Sequence, residues 1–343
     1  MRYIQLLLSG LLVLSFGCSK FNGQLGKAIE NAQSGNFRDA LAIYSVLLDK
    51  NGEIPLVLNN YGWTLFKTDS LEKAKTVLMK AETLAQSGQL KKLIQTNLSM
   101  VRPFLIGKRL LEHGSAADAM PYFHQVTDSF QVHEIGFQYL ALCHEALGNE
   151  EEAKANWEKI VEIYDNSKVR NHYYLLARKK LRQLGSQAIE NGNYVEAIRI
   201  FEIIKNAEKD SACSLNYLGW ALFRNDELND AQEVLENAKI LAVSKVVRDT
   251  IETNLFMVTT FLAGEYSLRK KNYESAIKEF EKVTLRYPES DIGLKYLALC
   301  YEGLGDKKTA DELWQRVAIL NEGHEYKNKY YQIAMQKLKL EPE

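Results

Sequence analysis

The second half of this chain repeats the first half with a fixed offset of 157 residues. The alignment needs no gap, and it places Gly219 on Gly62 and Trp314 on Trp157. A long internal period of this kind indicates a stacked-repeat architecture, in which each unit buries its apolar face against its neighbours. The architecture therefore constrains function more strongly than any single residue does.

A shorter period runs inside each half. Gly62 precedes Ala74 by twelve residues, and a large apolar residue, Leu78, follows Ala74 by four. Leu58, Gly62 and Leu65 have the spacing of one face of an α-helix. The same figure recurs around eight alanines: Ala40, Ala74, Ala119, Ala153, Ala197, Ala231, Ala276 and Ala310.

These residues resemble the tetratricopeptide repeat, whose pattern Tyr273, Ala276, Phe280 and Pro288 match especially well. The resemblance implies hairpins of about 34 residues, each built from two helices that approach closely at small side chains. It implies an all-α fold, a right-handed α-solenoid of about eight such hairpins. The chain would be a tandem duplication with lengthened helices at alternate junctions.

The spacing of the eight alanines predicts where the helices are longer. The intervals are 34, 45, 34, 44, 34, 45 and 34 residues, so every second junction carries about eleven extra residues. Eleven residues make three helical turns. We therefore predict lengthened first helices, rather than flexible loops, over 89–104, 165–181 and 246–261, with a kink at Pro103.

The start of the chain differs from the repeats. Arg2, a short apolar run and the small residue Gly17 before Cys18 are typical of a secretory signal. The Gly17–Cys18 junction resembles a bacterial lipoprotein cleavage site, although Ser15 stands where that family usually has leucine. The resemblance implies acylation of Cys18 and anchoring on the cell envelope. Because Ser19 follows the cysteine, it favours the outer membrane, facing the periplasm. An ordinary cleaved signal is the alternative.

The expected organisation follows from these two patterns. We predict a signal peptide over 1–17, a lipid-attachment tether over 18–24, a first block of four repeats over 25–181, and a second block of four repeats over 182–343 that ends in a C-terminal helix. Cys143, Cys213 and Cys300 are expected to be free and buried, because their odd number argues against a disulfide framework.

Sequence motifs for chemistry are scarce. The chain has no glycine-rich phosphate loop, nucleophile elbow or zinc motif. The histidines from His113 to His144 are spaced 11, 9 and 11 residues apart, which matches no metal template. The net charge of −1 gives no general attraction to nucleic acid. We predict no catalytic residue, no metal, no cofactor and no small-molecule substrate.

One pair of stripes is a candidate binding surface. In the second repeat of each half, an amide, an indole, a phenyl ring and a cation recur at the spacing i, i+4, i+7, i+8. The tetratricopeptide resemblance implies that this face lines a groove for partner segments, where the indole offers an apolar platform and the cation meets a carboxylate. The residues are Asn59, Trp63, Phe66 and Lys67, then Asn216, Trp220, Phe223 and Arg224.

Two alternatives concern these stripes. Trp63 and Trp220 are equally compatible with packing beneath the lengthened helices. Asn97 and Asn254 recur on the lengthened helices themselves. They are interpreted either as amides that bridge two helices or as ligand contacts.

The predicted function is a non-enzymatic scaffold. It would be held on the bacterial envelope through its N-terminal lipid and would bind another protein or a peptide segment in its groove. The alternatives are a structural or self-associating component of an envelope assembly, or a non-catalytic subunit of an envelope enzyme complex.

Overall fold

The computed structural model describes residues 19–130, 133–164, 171–207, 211–323 and 326–339. The predicted signal peptide and Cys18 therefore lie outside the described residues. The described part consists of seventeen α-helices without a strand, as the predicted all-α fold requires. None of these helices combines the length and the apolarity that a bilayer-crossing helix needs.

The chain divides into two compact units, Met1–Ala177 (unit 1) and Arg178–Glu343 (unit 2). The helices of unit 1 are α1 Ser19–Gln33, α2 Phe37–Asn51, α3 Pro55–Lys67, α4 Leu71–Leu84, α5 Gly88–Glu112, α6 Ala116–Phe130, α7 His133–Ala146 and α8 Glu150–Ile163. Helix α9, His172–Glu190, contains residues of both units.

The helices of unit 2 continue the same series after α9. They are α10 Tyr194–Ala207, α11 Ala212–Arg224, α12 Leu228–Leu241, α13 Lys245–Arg269, α14 Tyr273–Thr284, α15 Asp291–Leu304, α16 Lys307–Glu322 and α17 Lys329–Leu338. Helix α17 is the predicted C-terminal helix.

Helices pair in order along the chain. In unit 1, α1 packs on α2, α3 on α4, α5 on α6 and α7 on α8, and α2, α4 and α6 each pack on the first helix of the next hairpin. In unit 2, each helix from α10 to α16 likewise packs on the helix that follows it in the chain. Helix α9 also packs on α10, because a Cβ atom added to Gly185 would lie 2.7 Å from Cζ of Phe201. The described residues therefore form eight helical hairpins, the predicted number.

Small residues allow the close approach within each hairpin. A Cβ atom added to Gly62 would lie 2.7 Å from Cγ of Leu78, and one added to Gly264 would lie 2.6 Å from Cε1 of Phe280. Both distances are far below a van der Waals contact between carbon atoms. Glycine is therefore needed where the first helix crosses the second, as the sequence pattern predicts.

The lengthened helices are confirmed at two junctions. Helices α5 and α13 each have 25 residues and include the predicted extensions over 89–104 and 246–261. At the third junction, residues 165–170 lie outside the described part and α9 begins at His172. Helix α5 runs through Pro103. In α13 the equivalent residue is Thr260, whose Oγ1 donates to the carbonyl oxygen of Phe256 over 2.7 Å.

An aromatic cluster forms the core at each lengthened helix. In unit 2 the ring of Phe261 lies 5.1 Å from Phe223, 5.3 Å from Phe280 and 5.7 Å from Tyr296, measured between ring centres. In unit 1 the equivalent rings surround Phe104 at 5.3 Å, 5.3 Å and 6.0 Å. Offset and edge-to-face contacts of this kind stabilise beyond simple area burial. The duplication therefore preserves geometry as well as sequence.

Candidate partner-binding site

The two predicted stripes lie on α3 in unit 1 and on α11 in unit 2. The tryptophans are half-buried in both. The ring centres of Trp63 and Phe66 lie 5.1 Å apart, and those of Trp220 and Phe223 lie 5.3 Å apart. Each indole thus rests on a phenyl ring of its own helix and retains some accessible surface.

The phenylalanines of the stripes belong to the core. Phe66 is completely buried and Phe223 is 1% exposed. Each contacts the central ring of its aromatic cluster, Phe104 or Phe261. Their role is to support the indole from below, because almost none of their own surface is accessible.

The amides of the stripes pair with the amides of the lengthened helices. Nδ2 of Asn97 donates to Oδ1 of Asn59 over 2.9 Å, and Nδ2 of Asn254 donates to Oδ1 of Asn216 over 2.9 Å. Asn97 and Asn254 are therefore amides that bridge two helices, which was one of the two interpretations of these residues. Asn59 is buried, whereas Asn216 keeps part of its surface.

The cations of the stripes meet carboxylates of the chain itself. Nζ of Lys67 lies 2.8 Å from Oε2 of Glu134, and Nη2 of Arg224 lies 3.2 Å from Oδ1 of Asp291. Burial opposes the charge on Glu134, but the charge and hydrogen bond of Lys67 outweigh it and hold the pKa of Glu134 below its usual range. The carboxylate expected from a partner is therefore already present in each unit.

The arginine site in unit 2 is a larger network. Nη2 of Arg224 donates to the hydroxyl oxygen of Tyr194 over 2.6 Å, and that hydroxyl donates to Oδ2 of Asp291 over 2.8 Å. Nδ2 of Asn328 also donates to Oδ2 of Asp291, over 3.0 Å. Burial disfavours the charged guanidinium, but Asp291 and Tyr194 outweigh it and raise the pKa of Arg224. The network fixes the arginine against α15 and the segment before α17.

A groove opens beside Trp220 in unit 2. Its volume is about 470 Å³. The indole of Trp220 and the buried edge of Phe223 form one wall, and Arg224 stands next to them. The remaining wall is supplied by α13, by the end of α14 and by the segment that follows it: Met257, Val283, Arg286, Tyr287, Pro288, Glu289 and Ser290.

The structure thus brings three predicted residues, Trp220, Phe223 and Arg224, to one groove. Asn216 does not line it. In unit 1 the equivalent wall would come from residues 128–133, whose side chains lie outside the described part. The predicted residues Asn59, Trp63, Phe66 and Lys67 are therefore placed on α3, but their groove is not described.

Sequence reasoning missed a second polar pair in each unit. The hydroxyl of Tyr139 donates to Oδ1 of Asp69 over 2.6 Å, and that of Tyr296 donates to Oδ1 of Asp226 over 2.8 Å. Each pair is separated by 70 residues. The signal was available, because both members recur at the 157-residue offset. Each pair joins two hairpins that are separated by the hairpin of a lengthened helix, α5–α6 in unit 1 and α13–α14 in unit 2.

Metal ligation finds no support in the described ranges. No group of three or more histidine, cysteine, aspartate or glutamate side chains there could hold a metal ion. The free thiols are Cys143 and Cys300, which are buried, and Cys213, which is half-buried.

Solved structures of helical-repeat proteins are similar to this chain at low sequence identity. They include the C-terminal part of a TPR repeat-containing protein from Cytophaga hutchinsonii, with 16% identity, a TM-score of 0.31, and coverage of 92% of this chain and 100% of that one. For the APC/C hetero-tetramer Cut9–Hcn1 the identity is 17% and the TM-score is 0.32, with coverage of 96% of this chain and 57% of that one. For the TPR domain of P58(IPK) the identity is 12% and the TM-score is 0.30, with coverage of 94% of this chain and 99% of that one.

Curated proteins give no match to the chain. Two family models do match it, and both describe the tetratricopeptide repeat. One covers residues 56–87, which include the stripe on α3, and the other covers residues 137–167. Both matches fall on hairpins that the structure contains, so the chain carries tetratricopeptide repeats.

Proposed function

We propose that this protein is a non-catalytic scaffold that binds a segment of another protein in the groove beside Trp220. The observation that carries the proposal is the groove itself. The stripe on α11, which resembles the partner-binding face of tetratricopeptide repeats, supplies one wall of an open space of about 470 Å³. Pockets of this size, with apolar walls and a few polar groups, are typical binding sites.

The chemistry of the groove favours a segment with an apolar side chain next to a carboxylate. Trp220, Tyr287 and Pro288 offer apolar surface, and an indole is a frequent anchor at interfaces. Arg286 is exposed at the rim, and its guanidinium carbon lies 5.6 Å from the ring centre of Tyr287. An exposed arginine held against a ring can meet a carboxylate with two donors.

The test is site-specific crosslinking in cells. A photoreactive amino acid at Tyr287, which lines the groove, should capture a partner that the same amino acid at the exposed Tyr266 does not. Trp220→Ala should abolish the capture and leave the melting temperature close to that of the parent. Capture that survives Trp220→Ala would place the partner elsewhere.

Trp63→Ala is the matched control, because Trp63 has the same position on α3. If unit 2 alone holds the partner, this variant keeps the crosslink at Tyr287. Collapse of the fold in both tryptophan variants would instead favour the packing alternative. The comparison therefore separates binding from stability.

The proposal includes a lipid anchor at Cys18 and a place on the bacterial envelope, at the outer membrane facing the periplasm. Its support is the leader-like sequence that ends at Gly17 and Cys18. Mass spectrometry of the protein from its own cells is the test. A peptide that begins at an acylated Cys18 supports the anchor, whereas a free, unmodified Cys18 overturns it.

A further inference from the structure

The connection between α12 and α13 carries three exposed aliphatic side chains. Ile240 is 80% exposed, Val243 is 98% exposed and Val246 is 75% exposed. Helix α12 ends at Leu241 and α13 begins at Lys245, so these side chains surround the turn at the end of a hairpin. We refer to Ile240, Val243 and Val246 as the apolar tip.

The duplication provides a direct comparison for the apolar tip. The equivalent residues between α4 and α5 are Thr83, Gln86 and Gln89, which are polar and exposed. The folded core does not require apolar residues at these positions, because the first copy builds the same turn without them. Contiguous exposed apolar side chains are unusual on a monomeric protein and mark an interaction surface.

The two turns have the same construction. In unit 1, Nε2 of Gln95 donates to Oε1 of Glu82 over 3.0 Å. In unit 2, Nζ of Lys239 lies 3.0 Å from Oε1 of Glu252, and these are the equivalent positions. Each bond joins the end of one helix to the second turn of the next. The difference between the copies is therefore one of surface chemistry.

A side chain of α13 hydrogen-bonds to the backbone of the apolar tip. Nη2 of Arg248 donates to the carbonyl oxygen of Ala242 over 2.7 Å. Ala242 is 2% exposed and lies between Ile240 and Val243 in the chain. The backbone of the turn is thus tied down, while its aliphatic side chains project outward.

The position of the charges around the apolar tip differs from that in the first copy, although residues 239–252 and 82–95 have the same net charge of +1. Residues 239–248 contain three cations, Lys239, Lys245 and Arg248, and no anion. The equivalent residues 82–91 contain Glu82 and Lys91, which cancel. Farther from the apex, α13 continues with two anions, Asp249 and Glu252. Glu252 pairs with Lys239. Lys245 stands between the two valines at the apex, where the first copy has Gly88.

This combination fits a lipid bilayer better than it fits a protein. A protein partner would need a pocket that receives a convex projection, whereas the interfacial region of a bilayer accepts apolar side chains of any shape. Lysine and arginine side chains next to such residues can reach anionic headgroups. A second groove, of about 500 Å³, is lined by Ile240 with Leu215, Val234 and Leu241, and by four polar residues, Lys205, Asn206, Glu233 and Asn237. Val243, Lys245 and Val246, at the apex of the turn, do not line it.

We propose that the apolar tip inserts into the interface of an anionic lipid bilayer, with Lys245 and Arg248 against the headgroups. Unit 2 thereby has its own membrane contact, at a hairpin end. This contact goes beyond the proposed scaffold function. It does not depend on the groove beside Trp220 or on acylation of Cys18.

The test uses the full chain, purified in detergent and returned to vesicles of equal parts phosphatidylglycerol and phosphatidylcholine. An environment-sensitive fluorescent amino acid replaces Ser244 in one sample and its equivalent, Ser87, in another. Lipids with a quencher near the headgroup report insertion. We expect a blue shift and about a twofold loss of fluorescence at position 244, and neither at position 87. An anchor alone would bring both turns to the vesicles, so only the difference supports insertion.

Two variants exchange the surface chemistry of the copies. The triple variant Ile240→Thr, Val243→Gln, Val246→Gln should lose the quenching at position 244. The reciprocal variant Thr83→Ile, Gln86→Val, Gln89→Val should gain part of it at position 87. An unchanged signal at 244 in the first variant would overturn the proposal.

Other occupants give different results, and each overturns the proposal. A second copy would produce a blue shift that depends on protein concentration and is not quenched by the lipid. If the occupant is a protein partner, the fluorophores at positions 244 and 87 should be equally exposed to water in vesicles of pure lipid. Equal quenching at both positions would mean that the turns follow the anchor passively.

Discussion

The side chain of Asn97 on α5 donates a hydrogen bond of 2.9 Å to Oδ1 of Asn59 on α3. Asn254 makes the same bond to Asn216 in unit 2, between α13 and α11. Buried amides are expensive without partners. The two pairs therefore fix how each lengthened helix lies on the first helix of the preceding hairpin.

Removing one partner should affect unit 1 more than unit 2. In Asn97→Ala the buried Oδ1 of Asn59 loses its donor, and we expect a loss of about 1–3 kcal/mol in the free energy of unfolding. Asn254→Ala should cost less, because Asn216 and Asn254 are only half-buried and water can replace the bond. Urea denaturation of both variants measures the difference. Equal losses would contradict the role of burial.

The ion pair of Lys67 and Glu134 should make unit 1 sensitive to acid. The pKa of Glu134 is lower in the folded protein than in the unfolded chain. The stabilisation it provides is therefore complete above the unfolded value of about 4.3 and is lost as the pH falls through the lowered folded value. Denaturation between about pH 6 and pH 3 should show a smaller decline in Glu134→Gln than in the parent.

Glu151→Gln provides a control for that series. Glu151 also pairs with a lysine, Lys154, but its side chain is 81% exposed. Exposed pairs contribute little. A change of slope in this variant as large as that in Glu134→Gln would show that general loss of negative charge, rather than the buried pair, sets the acid response.

The repeat architecture could be predicted from the sequence because packing imposes a periodic pattern on it. Each close approach of two helices requires a small residue, and the eight alanines of the sequence pattern occur once in each hairpin. The eleven extra residues at alternate junctions kept a helical pattern, and α5 and α13 are continuous helices there. These features are local or periodic in the chain, so they can be predicted from the sequence alone.

Long-range polar partners could not be read in the same way. The sequence pattern predicts that Lys67 and Arg224 meet a partner's carboxylate, yet each pairs with a carboxylate of its own chain, 67 residues further along. A helical pattern identifies the face on which a side chain lies but not what covers that face. Whether Trp63 and Trp220 bind a partner likewise depends on surfaces that the helical pattern does not encode.

Left-handed backbone at the hairpin turns gives a third prediction. Lys271 has φ of 57° and Asp226 has φ of 64°, a region that costs an ordinary residue about 1–2 kcal/mol. Lys271 is exposed, so Lys271→Gly should raise the free energy of unfolding by about 1 kcal/mol. Its backbone N–H keeps the bond to Leu268 in either case.

Asp226→Gly is the contrasting variant at the equivalent turn of the preceding hairpin. The carboxylate of Asp226 accepts from Tyr296 over 2.8 Å and pairs with Lys295. Relief of backbone strain should therefore be outweighed by the two buried groups left without a partner, for a net loss of about 2 kcal/mol. Chemical denaturation compares the variants. Stabilisation by both would mean that the side chain of Asp226 contributes nothing.

Burial should also decide which thiols react. Burial raises the pKa of Cys143 to about 11 and that of Cys300 to about 12, so at pH 8 nearly all of both groups are neutral and unreactive. Cys213 on α11 is half-buried. Treatment of the folded protein with iodoacetamide at about pH 8, followed by peptide mass spectrometry, should therefore modify Cys213 first, and Cys143 and Cys300 only after denaturation. Modification of Cys300 in the folded protein as fast as that of Cys213 would show that the structure around α15 opens more readily than the burial of Cys300 implies.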